Sequence, residues 1–316
     1  MPGAVHHVIA RRLNRQDIFL DDHNRGDYAI SHGNGSITDI ININKRRITM
    51  TQKALLVGIN NYKQINDLNG CLNDITNVRD VLQKYSGFAT ADIRLLADSR
   101  ATKANIMARL EWLVKGAKDG DTLVFHYSGH GTQIRDRHGD ELKDHMDEAI
   151  CPWDINWDGG LILDDDLSAF FATLKKGVTL EVILDSCHSG SGTRDLILGA
   201  DVRSRFLAPP IDIECRVEED LPVKKLAVRK VEKGLNHVLW AGCRDNQTSA
   251  DAMIGNAYNG AFTYFFCKHI RDAQGKIARS ELLKRVRASL KHNNFSQIPQ
   301  LELPSETAKK TTIFGK

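Results

Sequence analysis

Apolar residues along the chain fall into two alternating patterns. Short, nearly continuous apolar runs at 53–59, 93–96, 121–127, 178–185 and 237–243 read as buried strands, because a strand covered on both faces has no polar side to show. Between them the apolar positions open to helical spacing: Ile75, Val78, Leu82 and Tyr85; Ile106, Leu110 and Leu113; the stretch 167–174; 262–270; and Leu282, Leu283, Val286 and Leu290. Each places one apolar stripe along a helix. Asn73 or Asp74 is expected to cap the first helix, Thr102 the second, the Asp164-Asp165-Asp166 run the third and Ser280 the last. Strands alternating with helices argue an α/β fold, a mostly parallel central sheet with helices on both faces.

Two stretches break the pattern. Residues 1–49 are polar and weakly periodic, and only 37–43 shows enough alternation for a strand. They read either as a poorly structured N-terminal extension or as an untranslated leader, with translation starting at Met50. Residues 191–235 carry Pro209-Pro210, Pro222 and many basic side chains. A long exposed loop is expected there, of the kind that is usually functional or disordered.

Composition narrows the class. In 316 residues, 41% are hydrophobic and 26% charged, with a net charge of +3, which suits a soluble globular protein. The charge is too small, and the basic residues too scattered, to argue for nucleic acid. No apolar run approaches the roughly eighteen residues of a membrane span, and the start lacks a secretory core. Six cysteines, Cys71, Cys151, Cys187, Cys215, Cys243 and Cys267, lie far apart with no CxxC. Reduced thiols in a cytoplasmic protein are therefore expected rather than a disulfide frame.

The chemistry gathers where two strands end. The apolar run 178–184 stops at Asp185-Ser186-Cys187-His188-Ser189-Gly190, and the earlier run stops at Ser128-Gly129-His130-Gly131. Open α/β sheets keep their sites at the carboxyl ends of strands, and a thiol with an imidazole is the pairing of a nucleophile and its base. Cys187 is the expected nucleophile. His130, with glycine on both sides, has the room His126 and His188 lack; His126 sits within the strand, and His188 points away from its neighbour Cys187. Asp185 lies two residues before Cys187, on the same face of an extended chain.

The two motifs HYSGHG and DSCHSG together resemble the caspase-like cysteine peptidases, in particular the metacaspase and orthocaspase branch. The separation of roughly fifty residues suits that order, and Gln297-Ile298-Pro299-Gln300 is similar to a C-terminal motif of the branch. The resemblance implies a caspase-like fold over 50–316, with a large-subunit-like part at 50–192, a basic linker at 193–235 and a small-subunit-like part at 236–316. It implies oxyanion donors at Gly131 and Cys187, and a pocket for arginine or lysine built from Cys71, Asp74, Ser128 and Asp185, with Asp245 a weaker candidate. A helix cap is the plainer role for Asp74, and a strand-end hydrogen bond for Asp185. It further implies an activating calcium ion held by Asp144, Asp164, Asp165 and Asp195, with solvated loop charges as the plainer reading.

The expected activity is endoproteolysis of peptide or protein substrates after Arg or Lys by a monomer, without nucleic-acid or membrane partners. Self-cleavage within the basic residues 194–233 follows if the enzyme accepts such sites. The rivals are a catalytically silent, partner-binding caspase-like module and a calcium-binding regulator.

Overall fold

The computed structural model describes residues 50–135, 146–187, 202–214, 236–244 and 247–315, with three short strands nearer the N-terminus. The chain divides into two compact units, Met1–Met50 and Thr51–Lys316. In the first unit Val8–Ile9, Ile18–Leu20 and Tyr28–Ile30 pair as a small antiparallel sheet. The strand expected at 37–43 lies outside the described residues.

The second unit runs β1 (Gln52–Gly58), α1 (Cys71–Val81), β2 (Ile93–Ala97), α2 (Lys103–Val114), β3 (Thr122–Ser128), β4 (Gly131–Arg135), β5 (Met146–Ile150), β6 (Ile162–Leu163), α3 (Asp164–Phe171) and β7 (Thr179–Asp185). It continues through β8 (Val202–Ser204), β9 (Val238–Ala241), β10 (Ala250–Ile254), β11 (Ala257–Gly260), α4 (Ala261–Asp272), α5 (Arg279–His292) and β12 (Gln300–Glu302). The central sheet has the order β12-β9-β7-β3-β1-β2. Its strands are parallel except for the edge strand β12, which runs antiparallel to β9.

The continuous apolar runs have the expected cause. Successive side chains on a strand point to opposite faces, and here both faces are covered. Leu55, Val57, Leu123, Phe125, Leu180 and Val182 meet Ile106, Leu110 and Leu113 of α2 and Leu167 and Phe171 of α3. Their neighbours Ala54, Leu56, Val124 and Ile183 meet Ile75 and Val78 of α1, Phe262 and Phe266 of α4, and Leu282 and Val286 of α5. Every residue of β3 is buried. Among the described residues no helix is long and apolar enough to cross a membrane.

Several local expectations are corrected. Thr102 caps α2 as expected, accepting from Asn105 N–H. Neither Asn73 nor Asp74 caps α1; Gly70 stands at its N-cap, and the Asn60 side chain accepts the Cys71 N–H instead. Ser280 lies inside α5, whose N-cap is Ala278. The aspartate run fills the first turn of α3, with Asp166 accepting from Leu163 N–H, where the helix dipole favours negative charge. Residue 121 falls outside β3, its carboxylate accepting from Thr51 and Lys118 N–H groups.

Two antiparallel three-stranded sheets, β4-β5-β6 and β8-β10-β11, complete the unit. The β10–β11 hairpin turns on Gly255 and Asn256, both at positive φ, the demand of a two-residue hairpin turn. The long exposed loop expected over 191–235 is corrected at its described part: 202–204 is a strand paired with β10, and Arg205 is fully buried.

A buried ion pair ties the sheet to the last helix. Glu181, on β7, accepts from Arg279 Nη2 at 2.5 Å and from Trp240 Nε1 at 2.8 Å. Arg279 also donates to Thr311 Oγ1. Removing one member of such a pair strands the other's charge in the interior. Arg279→Ala is expected to lower unfolding free energy by about 3–5 kcal/mol in denaturant titration, with part recovered by adding Glu181→Leu. A loss below about 1 kcal/mol, typical of an exposed pair, would show that the pair is solvated.

Candidate active site

Strand register brings the two motifs together. β3 and β7 are adjacent and parallel, with Ser128 opposite Asp185. His130 and Cys187 each lie two residues past that pair, at the carboxyl edge of the sheet. The contact is close: a Cβ added to Gly131 would run into the Cys187 carbonyl. Gly131 is therefore required by proximity to the Cys187 main chain.

His130 is 4% exposed and held from several sides. Its N–H donates to Tyr62 Oη at 2.8 Å, and its carbonyl accepts from Tyr127 Oη at 2.7 Å. Its Nε2 lies 2.8 Å from the Asn66 carbonyl. A carbonyl only accepts, so Nε2 carries the proton and Nδ1 is left as the basic nitrogen, with no hydrogen bond of full geometry among the described residues. Burial pushes the imidazole down to about 4, with the Arg205 charge acting the same way, against the raising effects of the Asn66 and Arg205 main chain. His126 is fully buried, with Nδ1 against the Ile183 carbonyl at 3.2 Å, a structural placement.

Cys187 is also buried, and the main chain of Ser249 brackets its sulfur. Ser249 N–H donates to Sγ, and Sγ lies 3.6 Å from the Ser249 carbonyl. Cys243, just past β9, approaches the same place, with its sulfur 3.7 Å from the Ser186 carbonyl. The hydrogen bond with Cys187 first, and then burial, raise the Cys243 thiol well above its ordinary range.

The expected pocket residues come together around an occupant supplied by the chain itself. Arg205 Nη2 donates to Asp74 Oδ2 at 2.8 Å, and Nη1 donates to Ser128 Oγ at 2.8 Å and to the Asp185 carbonyl at 3.0 Å. The carboxylates of Asp185 and Asp251 stand 3.3 and 3.5 Å from the same guanidinium. Every member of this group is essentially buried. Cys71 flanks it beside Ser128, its thiol pushed up to about 12 by burial. A Cβ on Gly260 would collide with Asp74, Asp185 and Arg205, so glycine there keeps the pocket open.

The two aspartates have further duties. Asp74 accepts the Gly260 N–H, and Asp185 accepts the Thr263 N–H at 3.0 Å and hydroxyls from Thr263 and Ser249 at 2.6 Å. Asp185 thus caps α4 from outside, so its plainer role holds alongside the pocket. Burial raises Asp74 to about 6, with Arg205 pulling it down. Desolvation works against the charge on Arg205, and the surrounding carboxylates, Asp185 foremost, outweigh it and raise its pKa.

The main chain around Arg205 is ordered in the same way. Gly131 N–H donates to the Arg205 carbonyl at 2.9 Å, Arg205 N–H donates to the Ser249 carbonyl at 3.1 Å, and Leu207 N–H donates to the Gly131 carbonyl at 2.8 Å. The amide expected to receive an oxyanion therefore already holds the carbonyl of the buried arginine.

Of the expected calcium ligands, Asp144 and Asp195 lie outside the described residues, as does Asp245. Asp164 is raised to about 7, first by burial and then by Asp165, Glu148 and Asp147. That concentration of carboxylates has the donor chemistry calcium prefers. Among the described residues, however, no group of three or more acidic, histidine or cysteine side chains is set to hold a metal.

Sequence reasoning missed Asp251, Ser249, Thr263 and the Asn66 carbonyl. Asp251 lies on β10, ten residues past the end of β9 at Ala241, and only the pairing of β10 with β8 turns it toward the arginine. Arg205 was legible as one of several basic linker residues, with nothing local to single it out.

A family model described as "Metacaspase, peptidase C14 domain" matches residues 52–195. The chain is 34% identical to Metacaspase-1A of Aspergillus fumigatus over 289 residues, 81% of this chain and 69% of that one. It is 33% identical to Metacaspase-1 of Pyricularia oryzae, covering 80% and 72%. A crystal structure from Geobacter sulfurreducens superposes with TM-score 0.64 at 26% identity, over 84% of this chain and 98% of that one. The fold and the paired strand-end motifs define a caspase-like cysteine-type endopeptidase, acting on peptide or protein substrates. The chain belongs to the metacaspase family.

The buried imidazoles make a direct test. His126, His130 and His237 are each pushed down to about 4 by burial. Their rings stay neutral as pH falls through 6.5, where a solvated histidine gains its proton, and protonate only near 4. NMR titration of ring resonances is expected to show three midpoints well below 6.5. A His130 midpoint at 6.5 or above would mean that its ring is solvated.

Proposed function

We propose that the enzyme cleaves after arginine or lysine, with Cys187 as nucleophile and His130 as general base and acid. The observation that carries this reading is the Arg205 side chain, buried among Asp74, Asp185 and Asp251 with Ser128. Three carboxylates in a dry pocket favour a cation there and repel an aspartate. A guanidinium offers forked donors that an ammonium lacks, so Arg is preferred to Lys.

The chemistry follows from the placement. A substrate arginine seated as Arg205 is puts its carbonyl oxygen on Gly131 N–H. His130 Nδ1 takes the Cys187 proton, and the sulfur attacks the carbonyl carbon. The oxyanion is held by Gly131 N–H and by the Cys187 amide. His130 then returns the proton to the departing amine, leaving an acyl-enzyme that water hydrolyses.

Self-cleavage in 194–233 is supported at one bond, Arg205–Phe206, because Arg205 is the linker residue lying in the pocket. A calcium ion, the activating metal of this reading, would be held by Asp164 and Asp165 of the first turn of α3 together with Asp144 and Asp195. When bound, it would supply positive charge against the mutual repulsion of these carboxylates. Asp164 must lose its proton to take part, so binding weakens as pH falls below about 7.

Fluorogenic peptides ending in Arg, Lys or Asp test the specificity. Turnover is expected in the order Arg, Lys, with none for Asp, and none at all with Cys187→Ala. Asp185→Asn should lower kcat/KM for the Arg peptide by about 100-fold, in line with breaking a buried charge pair. Equal turnover of the Asp peptide would sink the pocket. Intact mass is expected to show products 1–205 and 206–316, absent in Cys187→Ala. Calorimetric titration of calcium into Cys187→Ala should give a saturable signal that Asp164→Asn with Asp165→Asn abolishes; no signal in the parent would dismiss the metal.

A further inference from the structure

The Asn66 carbonyl and the Tyr62 hydroxyl that hold His130 belong to one loop, and Asn60 closes it. The Asn60 carbonyl accepts the Leu68 N–H at 2.9 Å, its Nδ2 donates to the Asn69 carbonyl at 2.9 Å, and its Oδ1 accepts the Cys71 N–H at 2.8 Å. Inside the loop, the Asp67 carboxylate accepts the Tyr62 N–H at 2.9 Å. A loop closed at its neck keeps its shape through its own contacts, so the place of the neck sets where Tyr62 and Asn66 stand.

Asp98 grips that neck from outside. It follows β2, the edge strand of the central sheet, in the short turn Asp98–Arg100. Its Oδ1 accepts the Asn60 N–H at 2.8 Å and the Asn61 N–H at 3.0 Å, and its Oδ2 accepts from Asn61 Nδ2 at 3.2 Å. Hydrogen bonds to an ionised carboxylate are stronger than neutral ones. Asp98 makes them at a φ of 45°, a left-handed conformation that is unfavourable for residues with a Cβ and that aspartate and asparagine tolerate best. Strain of this kind persists only where the surroundings hold it, and it gathers at functional sites. Elsewhere the loop is tied by the Lys63 N–H to the Trp153 carbonyl at 3.3 Å, by the Asp67 carbonyl to Arg203 Nη1 at 2.7 Å, and by the Asn69 N–H to Asp251 Oδ2 at 2.5 Å. None of these three falls on residues 60 and 61, which lead directly into Tyr62.

We propose that Asp98 is a positioning residue for His130: it grips the neck of the 60–71 loop, and through that loop keeps the Asn66 carbonyl on Nε2 and the Tyr62 hydroxyl on the His130 N–H. Asp98 itself touches neither the imidazole nor the thiol. Its role rests on the proposed assignment of His130 as base and deepens it, because a ring protonated on Nδ1 cannot take the thiol proton there.

Two substitutions separate the carboxylate from the backbone. Asp98→Gly accepts the positive φ and removes the grip; Asp98→Asn tolerates that φ and keeps an oxygen for both main-chain N–H groups. With the Arg peptide and the full chain, Asp98→Gly is expected to lower kcat about tenfold with KM within about twofold, a part of the roughly hundredfold or more that a positioned base supplies. Asp98→Asn should recover most of that loss. Nitrogen-15 ring shifts of His130 should report the Nε2-protonated form in the parent and in Asp98→Asn, and a mixture of tautomers in Asp98→Gly. The ring midpoint of Asp98→Gly should also move up from about 4 toward 6.5 as water reaches it, carrying the acid limb of kcat/KM upward. The charges acting on the ring, Arg205 and Asp251, are the same in all three proteins. Parent-like amide shifts outside 59–71 and 98–101 would show that Asp98→Gly folds. A parent-like kcat and ring in Asp98→Gly would overturn the proposal. So would a lowered kcat with tautomer and midpoint unchanged, the mark of a merely structural role, or an Asp98→Asn no better than Asp98→Gly. His130→Ala, assayed alongside, tests the base separately: full activity there would remove the assignment of His130, and the positioning role with it.

Discussion

Three carboxylates, those of Asp74, Asp185 and Asp251, are taken out of water within reach of one another. Buried like charges either gain protons or acquire a counter-charge. In this structure the counter-charge is Arg205, and its presence keeps Asp74 from rising beyond about 6. The same constraint reaches outward into the fold. Asp185 holds the N-terminus of α4 through Thr263, Asp74 holds the Gly260 amide, and Asp251 accepts from Asn69 N–H. The pocket is thus also the joint between the sheet, α1 and the β10–β11 hairpin, so changes to its charge are felt as changes in packing.

The meeting of His130 and Cys187 depends on a second, simpler constraint. The parallel pairing of β3 with β7 sets Ser128 opposite Asp185, and everything two residues beyond that pair meets at the sheet edge. Tyr62 and Tyr127 then fix the His130 main chain, while the Asn66 carbonyl selects the tautomer that leaves Nδ1 unprotonated. Burial keeps this ring neutral at physiological pH, the state in which it can accept the proton of a thiol. The proposed specificity pocket and the proposed catalytic pair meet at one residue, since Arg205 presents its side chain to the carboxylates and its carbonyl to Gly131.

Much of this was readable from local pattern. The core strands and helices appear as alternating apolar runs and stripes because burial on both faces imposes those periods on any such chain. His130 and Cys187 were legible because each follows an apolar run and sits in small, Gly-bounded surroundings. The strands β4, β5, β10 and β11 were not, since short antiparallel strands of mixed polarity carry little periodicity of their own. The Gly255-Asn256 turn between the last two was a usable signal that went unread. Helix caps misled at α1 and α5 because Asn73, Asp74 and Ser280 are good capping types by propensity alone, whereas Asn73 donates to the Tyr258 carbonyl and Asp74 faces the pocket.

By itself, then, the sequence determined the fold class, the family motifs, and the placing of a thiol, an imidazole and acidic side chains at the ends of neighbouring strands. Those properties live in residue type and short spacing. Only the tertiary structure decided which of many linker arginines lies in the pocket, that Asp251 completes it, and that the Asn66 carbonyl orients the imidazole. Each of these joins residues far apart in the chain, Asn66 with His130 and Asp74 with Arg205 and Asp251. Such pairings follow from strand order and register, which a chain settles only as it closes its core.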